Sequence, residues 1–151
     1  VRWARRSEWI KAPVRIEPGM VFLLDSIGEL ASVYSLATAA FIGGSLVPAG
    51  GHNPLEAAQF GVPVGMGTSY ENFRGIVETL RARGAIRLVE RGELRSALTE
   101  LVDPAADVRA MGRRGREVFE SEAGATERSV QALLEMLNAR WAHPTQVEMR
   151  P

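Results

Sequence analysis

The sequence predicts an α/β domain: a Rossmann-like parallel sheet with helices on both faces. Three observations carry that expectation. Short, continuous apolar runs recur along the chain, as strands buried on both faces require. Segments with apolar residues at helical spacing alternate with them, which gives βαβ units. Asn, Pro and Gly stand at the boundaries where helices start and stop.

Met20–Leu24 is the first such run, and Asp25 closes it. Ser26 then opens a helix, with Ile27, Leu30, Ala31 and Tyr34 on one face. Ala39–Ile42 forms the next strand, ended by Gly43-Gly44, and a loop of small residues follows from Ser45 to Gly51. Asn53-Pro54 starts a second helix that stops at Gly61. Val62–Met66 is a strand, and Phe73, Ile76, Val77 and Leu80 mark a helix that Gly84 ends. Ala85–Val89 is the fourth strand. Leu94, Ala97, Leu98 and Leu101 give the next helix. Asp103-Pro104 caps another, carrying Val108, Met111, Val118 and Phe119, and a last helix holds Val130, Leu133, Leu134, Leu137 and Trp141. The polar stretch 142–151, with two prolines, reads as a frayed tail. Four strands are few for a doubly wound domain. Val1 is not Met, and Arg2–Arg6 reads as the end of a helix, so the chain is expected to be a piece whose first strands precede Val1.

Composition excludes several classes of function. The 151 residues hold 18 Lys+Arg and 18 Asp+Glu, so no net field draws the chain to nucleic acid. There is no cysteine, hence no disulfide or thiolate metal site, and the two histidines, His52 and His143, cannot build a His-rich one. No apolar run approaches the roughly 18–20 residues that span a bilayer. No Walker loop, G-x-G-x-x-G or Ser/His/Asp arrangement is evident. Arg113, Arg114 and Arg116 read as a solvated basic face, and Trp3, Trp9 and Trp141 as packing residues.

In open α/β sheets ligands bind beyond the carboxyl ends of the strands. Two segments of unusual composition fall there. In the second, Gly50 and Gly51 let backbone approach a ligand, and a helix starts directly after them. Its unpaired N–H groups and positive dipole end suit a phosphate, an effect of roughly 0.3–1 kcal/mol when exposed and up to about 2 when partly buried. His52 adds a hydrogen bond to the same anion. Glu56 has two readings: the third residue of a capping box on Asn53, or an acceptor for ribose hydroxyls. Glu29 in Ser26-Ile27-Gly28-Glu29 poses the same choice. Gly28 in a first helical turn costs about 1 kcal/mol against Ala, which suggests that a ligand passes its backbone. Asn72 either caps the third helix or faces a sugar.

Asp25-Ser26-Ile27-Gly28-Glu29-Leu30, Phe41-Ile42-Gly43-Gly44-Ser45-Leu46 and Gly50-Gly51-His52-Asn53-Pro54-Leu55-Glu56-Ala57-Ala58 together resemble the 3-deoxy-D-manno-octulosonic acid (Kdo) transferases. Gly61-Val62-Pro63-Val64, Gly67 and Asn72-Phe73 extend the likeness, which runs at least from Arg5 to Leu88. The string from Gly51 to Glu56 is its most specific part. Ser26 stands where the family more often has Thr, and Thr68 where it usually has Pro.

The resemblance implies the C-terminal half of a GT-B fold. Residues 1–141 would form a partial nucleotide-sugar-binding domain, with 142–151 as a flexible tail. It implies inverting transfer of Kdo from CMP-Kdo to a lipid A precursor in lipopolysaccharide biosynthesis, at the cytoplasmic side of the bacterial inner membrane, with neither metal nor cofactor. The base would be a carboxylate of the N-terminal half, so no catalytic residue is expected in this chain. Gly28, Glu29, Ser45, Gly50, Gly51, His52, Asn53, Glu56 and Asn72 would make the nucleotide-sugar site, and Glu56 moves toward ribose. The alternatives are another GT-B transferase or epimerase using a UDP-sugar, or a binding module inactive by itself. Exposed core at a missing edge would let two copies pair.

Overall fold

The structure, a computed structural model, describes residues 1–142. Five strands are present: β1 (Trp3–Arg5), β2 (Val21–Leu23), β3 (Ala40–Ile42), β4 (Val64–Gly67) and β5 (Arg87–Val89). Six helices accompany them: α1 (Arg6–Trp9), α2 (Leu30–Tyr34), α3 (Leu55–Ala58), α4 (Arg74–Ala82), α5 (Leu94–Leu101) and α6 (Ala106–Ala142). All pairings are parallel, as the βαβ alternation requires. The strands divide into two ladders, however, β1–β2 and β3–β4–β5.

The three-stranded ladder holds the core. Ala40 pairs with Val64, and Gly65 with Arg87. β4 lies in the middle and is buried at every residue, because α5 and α6 both pack on it. Ile42, Met66, Val77 and Leu80 are almost wholly out of water. Each such side chain contributes about 1.5–3 kcal/mol of transfer free energy. The outer ladder is less covered: Val21, Phe22 and Leu23 of β2 are all exposed. Trp9 packs edge-to-face on Phe22, with ring centroids 6.1 Å apart, whereas Trp3 is exposed.

The structure corrects the sequence expectations at three elements. Arg2–Arg6 is not a helix end: residues 3–5 form β1 against β2, and α1 begins at Arg6. The strand was too short and too rich in Arg to show an apolar run. The helix expected from Ser26 starts only at Leu30, because Gly28 has φ +89°, outside helical geometry. The two late helices are one 37-residue helix, α6, about 55 Å long. The helix runs through Gly124 without interruption, although a mid-helix glycine costs roughly 1 kcal/mol against Ala. Ala142 belongs to this helix, while His143, the rest of the tail and the Trp141 side chain lie outside what is described. Val130, Leu133, Leu134 and Leu137 are exposed on the far half of α6.

The basic face of α6 is not uniformly solvated. Arg114 Nε and Nη2 donate to the Gly84 carbonyl at 3.0 and 2.6 Å, closing the exit of α4. Arg116 bonds Glu120 at 2.9 Å on the surface. Arg114→Ala is expected to cost about 1 kcal/mol, lowering Tm by roughly 2–4 °C in a chain of this size. Arg113→Ala is expected to change Tm by less than the scatter of surface substitutions. Paired thermal melts of the two variants check this.

Candidate functional site

β3 and β4 end side by side, and the loops leaving them are tied together by Ser45. Its side chain is buried; Oγ donates to the Ile42 carbonyl and accepts the Gly67 N–H at 2.8 Å. The Ser45 carbonyl accepts the Ser69 N–H at 2.9 Å. Ser45 therefore shapes the site from beneath, with its hydroxyl committed to protein partners. A Cβ on Gly67 would stand 2.1 Å from the Ser45 oxygen, so this junction admits only glycine.

Gly50 and Gly51 lie in the left-handed region, with φ +76° and +70°. Their bare Cα atoms face protein rather than open solvent. A Cβ on Gly50 would meet the Asn72 amide at 2.4 Å, and one on Gly51 the Met66 methyl at 2.3 Å. Their N–H groups are also engaged: Gly50 donates to Ser69 Oγ and Gly51 to the Gly44 carbonyl, both at 3.0 Å. Asn72 is not a helix cap, since residue 73 precedes α4 without any side-chain cap. It braces the loop instead: its N–H donates to the Gly50 carbonyl at 3.2 Å and its amide to the Ala49 carbonyl.

Beyond the glycines the main chain is less committed. Asn53 Oδ1 accepts the Leu55 N–H at 3.0 Å, an Asx turn. The amides of His52, Asn53 and Glu56 take no acceptor among the described residues. The capping box between Asn53 and Glu56, one of the two readings of Glu56, is not formed, which leaves the half-buried Glu56 carboxylate without a described donor. α2 packs on α3 here, and burial, then the nearby charge of Glu56, pushes the Tyr34 phenol up. His52 is exposed, its Nε2 lying 3.4 Å from where a Cβ on Gly44 would be. α3 has only four residues, so few peptide dipoles add up at its start. Direct N–H hydrogen bonds, not the macrodipole, are what this corner offers an anion.

The end of β2 is organised differently. Asp25 accepts the Ser7 N–H at 2.9 Å and its hydroxyl at 2.6 Å, which holds the Asp25 carboxyl below its usual range. Glu29 takes a two-pronged ion pair from Arg6, at 2.8 and 3.3 Å, and a hydrogen bond from Ser26 Oγ. Arg6 first, then Ser26, holds the Glu29 carboxyl down. The Ser26–Glu29 capping box is thus replaced by a direct side-chain bond, with no cap on α2. Around Gly28, nothing lies within 4 Å on the side a Cβ would occupy, so its glycine is required by φ, with open space beside it.

Next to the glycine loop a shallow hollow of about 300 Å³ is lined by Ser45, Leu46, Pro48, Thr68, Ser69 and Glu71. Ser69, Met66 and Arg6 escaped the sequence reading as site residues, because each acts through a tertiary contact that no spacing announces, and Glu71 escaped with them because it acts through Ser69. Among the described residues no group of three or more His, Asp or Glu side chains could hold a metal, and no helix is long and apolar enough to cross a membrane.

No protein-family model matches the chain. It is 36% identical over 119 residues to the 3-deoxy-D-manno-octulosonic acid transferase of Haemophilus influenzae, covering 78% of this chain and 28% of that protein. The Bordetella pertussis transferase of the same name is 36% identical over 126 residues, covering 80% of this chain and 29% of that protein. The chain thus spans less than a third of the curated relatives it matches. The C-terminal CMP-Kdo-binding domain of WaaA from Acinetobacter baumannii superposes with a TM-score of 0.66 at 32% identity, over 78% of this chain and 60% of that one. Parallel ladders with loop-built sites at their carboxyl ends, superposing in this way, define a GT-B glycosyltransferase domain. The chain belongs to the 3-deoxy-D-manno-octulosonic acid transferase family and corresponds to its C-terminal domain.

Proposed function

We propose that this chain is the donor half of a Kdo transferase. It holds CMP-Kdo while a base in the other half activates a lipid A precursor, at the cytoplasmic face of the bacterial inner membrane. The observation that supports the reading most is the corner at His52–Glu56. There, amides without described acceptors stand beside a carboxylate without a described donor. The first pair with a phosphate; the second accepts from ribose hydroxyls. Loss of CMP builds negative charge on the phosphate. Donors already in position meet that charge without a metal ion and without reorganisation. Ser45, Gly50, Gly51 and Asn72 supply the shape of this corner, and His52 a further donor. Gly28 and Glu29, at the end of β2, enter this reading through the family resemblance, with Glu29 already paired to Arg6 and Ser26.

Calorimetric titration of the chain with CMP and UDP tests the reading. CMP is expected to bind more tightly. Glu56→Gln, which weakens charge-assisted hydrogen bonds of about 1.5–3 kcal/mol, is expected to lower CMP affinity by about tenfold or more. Equal binding of UDP, or a Glu56→Gln chain that binds CMP as well as the parent, overturns it.

A further inference from the structure

The turn between β4 and α4 touches the glycine loop at three points of a single residue, Ser69. Its N–H donates to the Ser45 carbonyl at 2.9 Å. Its own carbonyl lies 3.0 Å from where a Cβ on Gly51 would be. Its Oγ accepts the Gly50 N–H at 3.0 Å and is bonded to Glu71 Oε2 at 2.9 Å. A hydroxyl has one proton and two lone pairs, and an ionised carboxylate only accepts. The Ser69 proton therefore goes to Glu71, which leaves a lone pair for Gly50. Glu71 is ionised at neutral pH: its own backbone N–H first, then the Ser69 hydroxyl, holds its carboxyl below the usual range.

We infer that Ser69, oriented by Glu71, is a positioning residue that sets the direction of the amides following Gly50. Only two soft dihedrals per residue separate the Gly50 peptide from those of His52 and Asn53. Fixing Gly50 and Gly51 sets where the His52 N–H points and narrows where that of Asn53 can point. Without the Ser69 acceptor the Gly50 amide turns to water, and the loop must be ordered again on each binding event. The inference rests on the reading of this corner as the CMP site.

The test is CMP titration of the 151-residue chain and its variants, at a temperature where circular dichroism shows each folded. Ser69→Ala is expected to weaken CMP binding about fivefold, the scale of one net hydrogen bond. Ser69→Thr, which keeps the hydroxyl, is expected to restore it. Glu71→Ala is expected to weaken binding less than Ser69→Ala, and serves as the second variant should that chain not fold. The Gly50 amide proton should move upfield in the NMR spectra of Ser69→Ala and Glu71→Ala. A lower Tm with unchanged CMP affinity means a purely structural role and overturns the inference alone. Failure of the parent chain to bind CMP overturns the reading of the site, and this inference with it.

Discussion

Gly67→Ala is expected to remove CMP binding and to lower Tm by roughly 6–12 °C. The added Cβ would lie 2.1 Å from the Ser45 oxygen, 2.4 Å from its carbonyl carbon and 2.8 Å from the Leu46 nitrogen. All three are backbone atoms, so no rotamer change can relieve the clash. Overpacking of this kind costs about 3 kcal/mol, and each ~1 kcal/mol is worth roughly 2–4 °C in a chain of this length. The movement needed also separates Ser45 from the Gly67 and Ser69 amides that it accepts. Because the 45–51 loop starts at that junction, its displacement carries the His52–Glu56 corner away. Scanning fluorimetry and CMP titration of the one variant check both parts. A parent-like melt and parent-like affinity together would show that the two backbones are not in contact.

Gly112→Ala is expected to destabilise by a similar amount at the amino end of β4, opposite the end that carries the site. α6 meets the exit of α3 backbone to backbone, and a Cβ on Gly112 would stand 2.0 Å from the Gly61 oxygen and 3.3 Å from Pro63 Cδ. Gly75 in α4 is the matching control, with nothing within 4 Å of its Cβ position. Gly75→Ala there is expected to stabilise by about 0.5–1 kcal/mol through helix propensity alone. The same chemical change thus has opposite signs at two helical glycines. Urea unfolding of the three chains measures both; equal effects at the two positions would contradict the packing described.

Much of this was legible in the sequence. The apolar runs at Ala39–Ile42 and Val62–Met66 read as parallel strands, because β-strands covered on both faces need side chains that avoid water, and Ala85–Val89 was legible too although Arg87 of the edge strand β5 is exposed. The start of α3 near Asn53 was legible from its cap residue, though the bond runs to Leu55 rather than through Glu56. β1 was not legible, since Trp3, Ala4 and Arg5 make no hydrophobic pattern and the strand exists only through its pairing with β2. The Ser26 motif was misread for a related reason. Capping boxes assume that the two side chains have only each other's backbone to bond, and Arg6, brought in by β1, competes for Glu29. Ser69 carried no signal at all, because its three contacts with the glycine loop join residues 18 to 24 positions apart.

The crowding around Gly51 and Gly67 has a bearing on how such a domain drifts under mutation. Both positions reject a side chain on folding grounds alone, Gly51 through Met66 and Ser69, Gly67 through Ser45. A descendant that had abandoned catalysis would still be held to glycine there. The half-buried Glu56 and exposed His52, whose side chains satisfy no described partner in the fold, would be free to wander first. In a diverged copy of this domain, those two side chains rather than its glycines tell whether a nucleotide is still being handled.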